Sequence, residues 1–156
     1  MSNKTNQTKG FTIIEVVLVL AIAALIFLLV FLALPALQRS RRDTQRRDDV
    51  SRLLSQVTTY QANNNGQVPA SDDDLDSLST DYLKSDEGEF NDPQTGDPYT
   101  LTLSSVGDGT PDDLGVMNYF KGAKCVNASS TESGSGNQVA VIVKLEGSPS
   151  YCVDNS

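Results

Sequence analysis

The sequence predicts an α+β chain, with one long N-terminal α-helix packed on a C-terminal antiparallel β-sheet. Three observations carry that prediction. Val16 to Leu34 is an unbroken run of nineteen Val, Leu, Ile, Ala and Phe residues. A stripe of apolar residues at helical spacing follows at Val50, Leu53, Leu54, Val57 and Tyr60. Beyond it, short β-branched and aromatic segments alternate with Gly, Pro, Asp and Ser turns.

Composition narrows the function before any motif is read. The chain has 156 residues, no His, no Trp and two Cys, which is enough for one modest domain. Without histidine there is no imidazole to serve as a general base near neutral pH, and two cysteines without a CxxC supply no zinc ligand set. No catalytic residues and no metal site are expected. Charge is divided along the chain. Residues 1–52 hold eight basic and four acidic groups, and residues 53–156 hold four basic and sixteen acidic groups. The mean hydropathy of −0.25 conceals this division.

The apolar run spans about 28 Å as a helix, close to the hydrocarbon thickness of a bilayer. It is longer than the core of a cleaved secretory signal, and its exit, Leu34-Pro35-Ala36-Leu37-Gln38-Arg39, is charged rather than small and neutral. A membrane span therefore fits better than a signal peptide. Glu15 places one carboxylate where the chain enters lipid. A charged group there is costly and needs a partner, unless it stays wet at headgroup level. The polar leader Met1 to Gly10 offers one. A cut after Gly10 would leave a new amine on Phe11, a cation able to neutralise Glu15 of a neighbouring subunit in a low-dielectric bundle.

Lys9-Gly10-Phe11-Thr12-Ile13-Ile14-Glu15, followed by the apolar run, resembles the class III signal of type IV pilins and the related pseudopilins. The resemblance implies that a prepilin peptidase cuts between Gly10 and Phe11 and methylates the Phe11 amine. It implies that Phe11 and Glu15 form the assembly contact of a helical homo-oligomeric filament, driven by an assembly platform and its ATPases. The expected segments are a cleaved leader (1–10), a transmembrane and filament-core helix (11–37), its amphipathic extension (38–63) and a globular pilin-like head (64–156). Six Arg against two Lys beside the span would by themselves keep the head in the cytoplasm. The resemblance places it outside, and the acidic, Ser/Gly-rich body with its cysteine pair suits that side.

A helix from Phe11 to Asn63 would be about 80 Å long, with Asn63-Asn64-Asn65-Gly66 as its stop. Pro35 is expected to kink or locally unwind it. The arginines between Arg39 and Arg52 read as a headgroup collar or as intersubunit partners. Nucleic acid is an unfavourable partner for so acidic a head. Ser71 is a candidate N-cap for a small helix, with Asp72, Asp73 and Asp74 in its first turn and Leu75, Leu78 and Leu83 on its inner face. Asn91 to Tyr99 is a turn cluster that resembles the Asp-Pro loop of secretion pseudopilins. Asp92, Asp97, Asp108, Asp112 and Asp113 offer oxygen ligands for calcium without EF-hand spacing, and no other cofactor is expected.

Strand candidates are Tyr99–Leu103, Val116–Phe120, Val139–Leu145 and Tyr151–Val153. Asn127 to Asn137 reads as an exposed loop, and Asn127-Ala128-Ser129 matches a glycosylation triplet. Pairing Cys125 with Cys152 would close a loop of about 28 residues and stabilise by roughly 3 to 4 kcal/mol, against the alternative of two reduced thiols. In pilins a C-terminal disulfide commonly frames an exposed region, so the resemblance points to the bond.

The resulting expectation is a structural subunit of a type IV pilus, a single-pass membrane protein before assembly and a surface filament afterwards, serving adhesion, twitching motility or DNA uptake. One alternative is a pseudopilin of a type II secretion or competence system. From another class, the alternative is a membrane-anchored extracellular binding protein that never polymerises.

Overall fold

The computed structural model describes residues 10–156, so residues 1–9 of the leader lie outside the described part. The chain divides between Gln38 and Arg39 into two units. Helix α1 (Ile13–Asn63) begins in the first and ends in the second. In the first unit the apolar side chains are open, with Leu20 62%, Phe27 66% and Leu32 70% exposed. The helix is long and apolar enough to cross a membrane. The unwinding expected at Pro35 does not occur, since Pro35 lies inside α1.

In the second unit the stripe from Val50 to Tyr60 is buried, as its spacing requires. Asn63 ends α1. Asn65 and Gly66 then take left-handed backbone angles, and the Gly66 amide donates to the Gln61 carbonyl at 2.8 Å. Ser71 caps helix α2 (Asp72–Ser77) through a complete capping box, its hydroxyl accepting from the Asp74 amide while the Asp74 carboxylate accepts from the Ser71 amide. Leu75 of α2 is buried, as are Leu78 and Leu83, which lie in and just after the π-helical turn Leu78–Tyr82 that continues the chain beyond α2.

Six strands follow: β1 (Thr100–Leu103), β2 (Val116–Lys121), β3 (Ala123–Asn127), β4 (Ser130–Ser133), β5 (Val139–Val143) and β6 (Tyr151–Asp154). Four of them form a sheet in the order β1-β2-β5-β6, and β3 with β4 forms a separate two-stranded sheet. The fold is α+β and pilin-like, a long N-terminal helix on a C-terminal sheet. The antiparallel sheet expected from the sequence is present from β2 through β5 to β6, but its first edge is parallel, with Thr100 opposite Val116 and Leu103 opposite Tyr119. The connection over residues 104–115 is long enough to carry the chain back to the same end of the sheet, which a tight hairpin cannot do. The loop expected over 127–137 contains β4 and is corrected accordingly.

Strand β5 is buried on both faces. Val139, Val141 and Val143 join Met117 and Tyr119 against the α1 stripe. Ala140 and Ile142 point the other way and pack with Phe120 and Ala123 in a second small core, against which Cys125 and Cys152 lie. Period-two alternation in one buried strand thus serves two cores.

Candidate assembly site

The N-terminal site is built by the first turn of α1. Gly10 and Phe11 precede the helix, and Phe11 is 90% exposed. Thr12 and Glu15 form a second capping box. Glu15 Oε2 accepts from the Thr12 amide at 2.8 Å and from the Thr12 hydroxyl at 2.8 Å, while the Glu15 amide donates to Thr12 Oγ1 at 3.3 Å. Otherwise open donors at the helix start are satisfied, and the carboxylate is held beside Phe11 at the positive end of the helix dipole. Phe11, Glu15, Val16, Val19 and Leu20 line a shallow groove of about 450 Å³ in which Glu15 is the one charged side chain.

The structure therefore brings Gly10, Phe11 and Glu15 together at one end. Thr12, which sequence reasoning passed over, joins them. Its signal was legible as Thr-x-x-Glu immediately before an apolar run. Cys125 and Cys152 are in the head, bonded to each other with Cα atoms 6.0 Å apart.

A second constellation lies wholly in the second unit. Arg46, with none of its side chain exposed, forks onto Asp92 through Nε and Nη2 at 2.7 and 3.1 Å. Its Nη1 donates to Glu146 at 2.8 Å and to Asp43 at 3.2 Å. Arg42 makes its own two-pronged pair with Glu146 at 2.7 and 2.6 Å. Asp43 accepts from the amides of Glu146 and Gly147, and Asp92 accepts from those of Gln94 and Thr95. The Asn91–Tyr99 loop, the segment after β5 and the helix are thereby locked together.

The electrostatics follow from that geometry. Hydrogen bonds from Arg42, opposed by burial and reinforced by Arg46, hold the Glu146 carboxyl down at about 2. Burial would raise Asp92, yet the Arg46 guanidinium and two backbone amides outweigh it and hold the carboxyl below its usual range. Burial likewise opposes the charge on Arg46, and its carboxylate partners more than compensate.

Of the arginines between Arg39 and Arg52, Arg42 and Arg46 pair as described, Arg52 pairs with Glu89, and Arg47 lies over the Tyr151 ring, all within the chain. Both Asp92 oxygens are engaged, and among the described residues no three acidic side chains gather as a metal-binding group.

Residues 5–31 match the family model of the prokaryotic N-terminal methylation motif. The chain carries this methylation motif. It is the class III signal of type IV pilins and pseudopilins, and its matched residues include Gly10, Phe11, Thr12 and Glu15. No curated protein and no solved structure matches the chain. With the open apolar helix, the methylation motif fits a membrane-anchored precursor.

Proposed function

We propose that the chain is a structural subunit of a type IV pilus. A prepilin peptidase removes the leader after Gly10 and methylates the Phe11 amine, and subunits leave the membrane to polymerise into a surface filament on an ATP-driven platform. The observation that carries this reading is the methylation motif at the head of a helix whose large apolar side chains are open from Ile13 to Leu37. So large an exposed apolar surface needs lipid first and copies of itself afterwards.

In that reading Glu15 has two successive partners. Before assembly it is satisfied by Thr12 of its own chain, at 2.8 Å. In the filament the Phe11 amine of an adjoining subunit neutralises it, in surroundings where an unpaired carboxylate would be penalised. The Asn91–Tyr99 loop favours a second reading within the family, a pseudopilin of a secretion or competence system. The membrane-anchored protein that never polymerises requires neither the cut nor Glu15.

Glu15→Ala tests the proposal. The variant is expected to insert and to lose its leader normally while the yield of sheared filaments drops about tenfold, the effect of roughly 1.4 kcal/mol at the growing contact. Unchanged filament yield would contradict the pairing role.

A further inference from the structure

Asn127 is the exposed last residue of β3, and Ala128 and Ser129 form the exposed turn that leads into β4. Asn127 Oδ1 accepts from the Ser129 amide at 2.9 Å and from the Ser129 hydroxyl at 3.2 Å. An ordinary Asx turn needs only the amide. Here the hydroxyl two residues on is also engaged, so the carbonyl end of the side chain is occupied and polarised. The Nδ2 end has no partner among the described residues. The pairing register shifts between Cys125 and Asn127, just before the turn, while the disulfide anchors β3 at Cys125, two residues before Asn127.

The triplet alone is not selective. It occurs also at Asn3-Lys4-Thr5 and Asn6-Gln7-Thr8, in the leader that the proposed processing removes. In the head it occurs once, at Asn127, where the middle residue is not proline and the side chain is exposed.

We propose that Asn127 is an acceptor for an N-linked glycan supplied by a lipid-pyrophosphate-linked oligosaccharide. Nδ2 attacks the anomeric carbon of the donor and forms the N–C glycosidic bond. The bond from that carbon to the pyrophosphate oxygen breaks, the lipid pyrophosphate leaves, and one amide proton passes to a base of the transferase. Ser129 is a positioning residue, holding Oδ1 so that Nδ2 faces outward. The inference rests on the exterior placement of the head in the proposed function.

The test is peptide mass spectrometry of the full chain purified from its native cells, reading the Asn127 peptide and the mature N-terminus in one digest. The expected result is a carbohydrate mass on Asn127, released by an N-glycosidase with conversion of Asn127 to Asp. That mass is lost in Asn127→Gln and in Ser129→Ala, and retained in Ser129→Thr. An unmodified Asn127 in protein that begins at Phe11 overturns the glycan and leaves the pilin reading standing. A mass that survives Asn127→Gln, and so sits on a nearby hydroxyl, also overturns it. A glycan on Asn127 of protein with an uncut leader supports the acceptor site and contradicts the pilin reading.

Discussion

Arg46 holds a full positive charge with no exposed side chain, and its energetics follow from what removing it would leave behind. Asp92, with 1% of its side chain exposed, would be stranded without its main partner. Breaking a buried pair from one side costs about 3 to 5 kcal/mol, so Arg46→Ala should lower the unfolding free energy by that amount in denaturant titrations of the full chain in detergent. Arg42, whose side chain is 26% exposed, should cost less when replaced by Ala. The same cluster sets an acid limit. A carboxyl held below its unfolded value contributes stability above that value and loses it as the pH falls through the folded one. For Glu146 that window runs from its ordinary 4.5 down to about 2. Asp49 has the opposite sign, because burial pushes its carboxyl up despite the hydrogen bond from Tyr99 at 2.9 Å. Acid titration of the wild type should therefore show a loss of stability over the Glu146 window that Glu146→Gln flattens.

Arg46 was in fact readable. Asp43 and Arg46 fall seven and four positions before Val50 and extend the buried stripe toward the N-terminus. Charged residue types conceal a core position when only apolar ones are counted. Gly10 is a residue of the opposite kind, since a Cβ there would meet nothing within 4 Å. Gly10→Val should leave the fold intact while the leader is retained on immunoblots, and normal cutting would show that glycine has no part in peptidase recognition.

Among the elements, those legible in the sequence were the ones with a strong period. Helix α1 from Val50 onward and strands β1, β2, β5 and β6 are marked by apolar stripes or β-branched runs, and all are present. Strand β4, Ser130-Thr131-Glu132-Ser133, has no apolar residue and so gave no signal. Partners distant in sequence hold its hairpin instead. Asp154 of β6 accepts from the Cys125 amide at 2.6 Å, and the Cys125–Cys152 bond ties β3 to β6 over the second core. The parallel β1–β2 edge was hidden for a related reason, because strand direction depends on the route of the connecting loop rather than on the strands' own residues. Closing 27 residues of separation with a disulfide stabilises by about 3 to 4 kcal/mol in the chain-entropy model. The Cys125→Ser/Cys152→Ser double variant should melt lower by several degrees in calorimetry. An unchanged melting temperature would show that the second core alone holds the hairpin.

At the scale of the whole molecule, one sequence encodes two solvents. Up to Gln38 the described large apolar side chains are open, whereas from Arg39 onward the chain closes its own core and pairs three of its six helix arginines with its own carboxylates. Arg42, Arg46 and Arg52 are committed to carboxylates of the head. The central claim is that this chain matures by losing its leader to expose a cation at Phe11. Mass spectrometry of the N-terminus of the protein isolated from the cell surface tests it most directly. A first residue of N-methylated Phe11 is the predicted result, and an intact N-terminus running through Gly10 into Phe11 on surface-exposed protein would contradict it.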